Sequence, residues 1–217
     1  MKIGLIGLQN SGKTTIFNAL TGQDLEVTSY ASQKVEPNLG IVEVIDDRIT
    51  KLSAIYKPKK TIYANIEYID FAGFAADNNT TIPANILALA KTTDALALVV
   101  QNFKGEIREE PNITGDIDII ESELMMSDLI VAENRMEKII LSKKRGIKDA
   151  SLLIEESAIK KVIEQLNGEQ ALRDLELAPE EKKAIRGFQF LSQKPMMIII
   201  NSSIYSICYI DFYLHNY

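Results

Sequence analysis

Apolar and polar positions change period several times along the chain, and the changes mark its elements. Residues 2 to 8 form a short apolar run that breaks at Gln9, as a buried strand does. Ile16, Phe17 and Leu20 then recur at the spacing of a helix that starts near Gly12. LGIVEVID at 39 to 46 and TIYANIEYID at 61 to 70 are rich in β-branched and aromatic residues. The second alternates through Ile62, Ala64, Ile66 and Tyr68. Between them Leu52 and Ile55 sit at helical spacing. DALALVV at 94 to 100 and MMIIIN at 196 to 201 are two more compact apolar runs, each preceded by a helical stretch. Strands alternating with helices predict an α/β fold, a mostly parallel sheet flanked by helices.

The stretch from 116 to 187 keeps another rhythm. Ile117, Ile120 and Leu124, then Leu129, Ala132, Met136 and Ile140, maintain a helical stripe. After Gly146 a second stripe runs through Ile159, Val162, Ile163 and Leu166 and stops at Asn167-Gly168. Two long charged helices in succession predict an antiparallel, coiled-coil-like hairpin inserted into the α/β domain. A further helix is expected from Pro179, with Glu180 and Glu181 in its first turn and Ala184, Ile185, Phe188 and Leu191 facing inward. The expected organisation is an α/β domain whose first part spans 1–115, an arm over 116–187, a last recognisable strand of that domain within 188–201, and a tail at 202–217. The tail holds four of the eight tyrosines, the only cysteine and the only histidine.

Composition narrows the chemistry. Hydrophobic residues at 46% and charged residues at 25% suit an ordinary globular core. A net charge of −6 argues against non-specific coverage of free DNA. With Cys208 and His215 alone of their kinds, there is no intrachain disulfide, no thiolate cluster, and no Ser-His-Asp or Cys-His catalysis in the usual forms. Lysine, carboxylates, hydroxyls, backbone amides and a hard cation remain. The opening apolar run is too short for a signal-peptide core. Asn201, Asp211, His215 and Asn216 interrupt the apolar end, so no membrane span is expected there, and the expected location is cytoplasmic.

GLQNSGKT at 7 to 14 fits Gly-x4-Gly-Lys-Thr, with a strand before it and a helix after it. Gly7 and Gly12 let the backbone turn with its amides inward, where they can donate to phosphate oxygens. The helix beginning there adds the positive end of its dipole. Lys13 supplies a mobile charge for β- and γ-phosphates, and Thr14 a hydroxyl for Mg²⁺. Gly7, Leu8, Gln9, Asn10, Ser11, Gly12, Lys13, Thr14 and Thr15 are therefore the candidate nucleotide-binding residues. Asp70-Phe71-Ala72-Gly73 ends a strand, where phosphate-loop proteins place an Asp that holds Mg²⁺ through water and a Gly whose amide meets the γ-phosphate. The bland readings are a chance loop and a strand-ending turn. Finding both motifs in this order weighs against them.

With these residues in hand, the chain resembles the YchF or Obg-like ATPases, ribosome-associated P-loop hydrolases. NSGKTTIFNALTG, VEPNLGIVEV, DDRITKLSAIYKPKK, EYIDFAGF, TDALALVV, DIDIIESELMMSDL and LAPEEKKAIRGFQFLSQKPMMIIIN carry the likeness over about residues 1 to 201. It implies a G-domain-like P-loop NTPase with a helical arm, which uses Mg²⁺ to hydrolyse ATP, with the ribosome as partner. Lys13, Gly73 and Phe74 fall at its catalytic positions, Thr14 and Asp70 at its metal positions, and Asn201 at its base-reading position. Phe74 stands where Ras-like enzymes carry a water-orienting Gln, which implies slow hydrolysis. Asn10 matches an Asn that helps hold K⁺ in potassium-stimulated relatives; the reading in which it merely braces the loop weighs more.

Three departures stand out. Lys34 in SQKVEPN occupies the place of a metal-reaching Thr, and AADNNTTIPANI replaces a glycine-rich switch. Asn201 is followed by Ser202, Ser203 and Ile204, without the Asp of a guanine-reading Asn-Lys-x-Asp. The family ordinarily continues into a small TGS domain, which has no counterpart in this sequence, so the break after 201 reads as truncation or diversion. Two other readings stay open: a GTPase of the same fold, and a nucleotide-binding switch without turnover.

Overall fold

The computed structural model describes residues 1–25, 37–74, 82–104, 110–146 and 149–202. The chain divides into two compact units. The first comprises Met1–Asn79, Thr93–Ile113 and Met196–Tyr217; the second comprises Thr80–Thr92 and Thr114–Pro195.

The first unit is built on five strands: β1 (Lys2–Ile6), β2 (Asn38–Val44), β3 (Ala64–Asp70), β4 (Ala95–Asn102) and β5 (Met196–Ser202). Their order is β2-β3-β1-β4-β5. β1 lies at the centre, parallel to β3 and β4, and β5 is parallel to β4. β2 alone runs antiparallel, paired with β3 in a register that sets Asn38 opposite Asp70. The unbroken apolar run of β4 reflects its place, because a parallel strand covered on both faces has no solvent side on which to keep polar residues. α1 (Lys13–Thr21) follows β1 and lays Phe17 on Leu5, Ala97 and Val99. α2 (Asp47–Tyr56) connects β2 to β3, capped by the Asp46 carboxylate on the Arg48 amide.

The second unit is helical: α3 (Ala84–Lys91), α4 (Ile113–Lys144), α5 (Ala150–Asn167) and α6 (Pro179–Ile185). α4 and α5 meet on either side of a turn at Gly146, whose φ of 82° suits a residue without Cβ. Arg135 clamps Glu155 with two bonds of 2.6 and 2.7 Å across the pair. Ala132 and Ile139 of α4 join Ala158, Ile159, Val162 and Leu166 of α5 in one apolar cluster, closed by Leu172, Ile185 and Phe190.

Several expectations shift in detail. The inward stripe of α4 runs through Ile120, Leu124, Asp128, Ala132 and Ile139, while Ile140 is exposed. Each step of four drifts about 40° around the helix and the step of seven turns back by only about 20°, so the buried stripe winds across the surface of α4. Leu20, Leu52 and Ile55, whose spacing marks helices, and Ile62 all lie exposed, and α2 buries no residue at all. The helix from Pro179 stops at Ile185, so Leu191 reaches the core from the segment beyond it. Among the described residues no helix is long and apolar enough to cross a membrane. Lys34, the segment 75–81 and the tail beyond Ser202 lie outside the described residues.

Candidate functional site

The loop between β1 and α1 is shaped by two residues in left-handed backbone, Asn10 with φ 62° and Gly12 with φ 88°. Asn tolerates that region better than most residues. At Gly12 a side chain has no room either, since a Cβ there would stand 2.0 Å from Nδ2 of Asn201. That amide donates to the Ser11 carbonyl at 3.0 Å, so Asn201, at the C-terminal end of β5, braces the loop from across the sheet. Gly7 passes beneath the Val99 carbonyl, 2.4 Å from where a Cβ would be.

Lys13 opens α1 with its side chain buried, and its ammonium donates to the Leu8 carbonyl at 2.8 Å. The chain therefore curls around its own lysine and presents the charge at the head of the helix. Burial pushes the Lys13 ammonium down to about 8, with the charge of Asp70 acting in the opposite direction. Thr14, the next residue, donates its hydroxyl to Oδ2 of Asp70 at 2.9 Å. The Asp70 carboxyl is held above its ordinary range by burial, opposed by the Thr14 and Asn38 hydrogen bonds and by the Lys13 charge.

β3 delivers Asp70 and then lays its continuation along the loop. Leu8 and Phe74 form a parallel bridge, and the Gln9 amide donates to the Phe74 carbonyl at 2.8 Å. Gly73 has to be glycine for that approach: a Cβ would stand 2.8 Å from the Lys13 ammonium and 2.9 Å from Cα of Gln9. Phe74 is buried, and the hydroxyl of Ser11 is buried without a partner. Thr15 faces solvent on α1.

The structure thus gathers Gly7 to Thr14, Asp70, Gly73 and Asn201 at one end of the sheet, with Thr15 on the outer side of the helix. It adds Asn38, which the sequence reading quoted within VEPN without giving it a role: Nδ2 of Asn38 donates to Oδ2 of Asp70 at 3.3 Å. Only the antiparallel register of β2 on β3 makes them neighbours, and nothing in the local sequence announces it.

The residues present fit a hard divalent cation. Oδ1 of Asp70 is buried and has no partner, and the Thr14 hydroxyl lies beside the other oxygen. One carboxylate and one hydroxyl suit Mg²⁺, which is usually completed by waters and substrate phosphates. Among the described residues no group of three acidic, histidine or cysteine side chains forms a self-sufficient metal cage.

A central parallel sheet with a phosphate-type loop leading from β1 into α1, and a carboxylate at the end of the adjacent strand, defines a P-loop nucleotide-binding domain of the G-domain kind. The chain belongs to the family of 50S ribosome-binding GTPases, whose profile matches residues 2–143. It is 35% identical over 206 residues to a ribosome-binding ATPase YchF of Escherichia coli O157:H7 and 32% identical over 206 residues to one of Bacillus subtilis strain 168. Each alignment covers 92% of this chain and 56% of the relative, so the chain spans little more than half the length of these relatives. The solved structure of the Schizosaccharomyces pombe YchF GTPase has the same fold, with a TM-score of 0.72 at 24% identity over 94% of this chain and 57% of that one.

Proposed function

We propose that this chain binds ATP with Mg²⁺ and hydrolyses its β–γ bond, and that it works on the ribosome in the cytoplasm. The observation that carries the reading is the convergence of the buried Lys13 ammonium, the α1 N-terminus and the Thr14–Asp70 pair on one cradle. Free amides of the first helical turn and the Lys13 charge would hold the β- and γ-phosphates. Thr14 and Asp70 would hold Mg²⁺, which neutralises developing charge on the phosphoryl oxygens when bound. The Gly73 amide would meet the γ-phosphate side. In this reading Asn10 supports the loop through its left-handed backbone, and a K⁺ requirement is the alternative role for its side chain.

Water would attack the γ-phosphorus in line. Phe74 offers neither donor nor acceptor on its side chain, and its carbonyl is already bonded to the Gln9 amide. The chain therefore orients the phosphates more tightly than the water, and slow turnover is expected. The same observation favours a second reading, a nucleotide-controlled switch without useful hydrolysis. The family is one of GTPases, while the Escherichia coli relative is an ATPase. ATP is chosen because the sequence after Asn201 lacks the guanine-reading Asp and because the Asn201 amide is committed to Ser11. Ribosome association follows from likeness to the ribosome-binding relatives.

Titration of the full chain with ATP and with GTP in Mg²⁺ separates the nucleotides: tighter binding of ATP is expected, and micromolar GTP affinity without measurable ATP binding would overturn the choice. Phosphate release should exceed that of Lys13→Ala. Release no greater than the variant's would shift the assignment to the switch.

A further inference from the structure

Two donors converge on one oxygen of Asp70. Thr14 reaches Oδ2 from the head of α1 at 2.9 Å, and Asn38 reaches the same atom from the start of β2 at 3.3 Å. The other oxygen, Oδ1, is buried and takes no bond. We propose that Asn38 is a positioning residue for the cation: it anchors the Asp70 carboxylate so that Oδ1 is presented to the metal and its waters. The proposal rests on the reading of this site as a Mg²⁺-nucleotide site.

The need for such an anchor follows from the chemistry of Thr14. A carboxylate turns about a broad, nearly two-fold torsion, so one hydrogen bond defines its plane poorly. The Thr14 hydroxyl serves the cation as well, ligating through a lone pair while its proton stays with Asp70, so its position answers to the metal. The position of Asn38 does not. The NH₂ that makes the Asn38 bond donates only and has no lone pair for the metal, so cation binding does not draw this group away from Asp70. It comes from a strand whose seven residues are all paired with β3, and the backbone sets Asn38 opposite Asp70. Partners of this kind, which hold a ligand without touching the metal, commonly change metal affinity ten- to a hundredfold when removed.

The expected result is a shift in Mg²⁺ dependence and not in nucleotide affinity as such. With the full chain, ADP binding is measured by calorimetry in EDTA and over a Mg²⁺ series. Asn38→Ala should raise the half-saturating Mg²⁺ concentration about tenfold and leave the EDTA affinity within about twofold. Asn38→Leu, which keeps the bulk and removes the donor, should do the same and decides the matter if the alanine variant fails to fold. In an Asp70→Asn background the Asn38 substitution should add nothing, because its partner's charge is already gone. A Mg²⁺ midpoint within twofold of wild type in the folded variants would overturn the assignment. So would an equal shift in the Asp70→Asn background, or a loss confined to EDTA. If wild-type protein binds no ADP under any condition, the nucleotide reading itself falls and takes the assignment with it; a failure of the variants alone sinks only the role of Asn38.

Discussion

At the scale of single residues, Lys13 carries a consequence that can be measured directly. Its ammonium is pushed down to about 8 because burial disfavours the charged form more than Asp70 favours it. A lysine lowered in the folded state costs stability while it is charged, so the cost is fully present below about pH 8. It is relieved as pH rises from there toward the ordinary 10.5. A bound phosphate reverses the balance by giving the ammonium a counter-charge and raising its pKa. Nucleotide binding should therefore take up a proton above about pH 8 and none well below it. Affinity should fall up to tenfold per pH unit through that window, as one proton per ligand requires. Calorimetry of ADP binding at pH 9, in two buffers of different ionisation heat, reads the uptake. Lys13→Ala should abolish it, and an uptake unchanged in the variant would place the proton elsewhere.

At the scale of elements, the segment after α6 is held by one buried carboxylate. Asp128 lies on the inward stripe of α4 and accepts from the Leu191 amide at 2.8 Å, and from the amide and hydroxyl of Ser192 at 2.7 Å each. Burial raises its pKa, against the Ser192 side-chain bond, the Leu191 and Ser192 amides and the charge of Lys91. Asp128→Ala would leave three donors without that acceptor, and the expected loss is on the order of 3 kcal/mol, read as a lower urea midpoint of the helical signal. Asp128→Asn, which keeps one carbonyl acceptor, should lose less. Helices and strands were legible here because their periods are strong: β4 is apolar from Ala95 to Val100, and the second stripe of the arm stops at Asn167-Gly168 as expected. Asp128 was not legible, because a charged residue on the stripe looks like a gap in it. Leu52 and Ile55 are the opposite case, apolar residues of the pattern that lie exposed. Their spacing is helical and the helix exists, yet it is fixed by the Asp46 cap and by the Thr50–Tyr63 and Ser53–Thr61 hydroxyl pairs.

At the scale of the whole molecule, the parts of the site that follow one another along the chain could be read from the sequence, and the parts joined only by pairing could not. Gly7 to Thr14 is a contiguous string whose chemistry requires its spacing, and Asp70 with Gly73 follows the same logic at a strand end. Asn38 against Asp70, and Asn201 against Ser11, depend on register and strand order across 32 and 190 residues of separation. The two units differ in the same respect. The phosphate loop and its partners belong entirely to the first unit, while the second keeps its own apolar cluster around Ala132, Ile159 and Phe190. Ligand binding stabilises only those openings that destroy the site, by about 2.7 kcal/mol at a hundredfold excess over Kd. Openings of separate cooperative parts are left as they were. Saturating Mg²⁺-ADP should thus slow amide exchange in β1, α1 and the end of β3 by up to about a hundredfold, and leave α4 from Ile120 onward and α5 within about twofold. Exchange followed by mass spectrometry resolves these segments. Equal protection across α5 would mean that the two units unfold together, and that nucleotide occupancy reaches the arm through the stability of the whole chain.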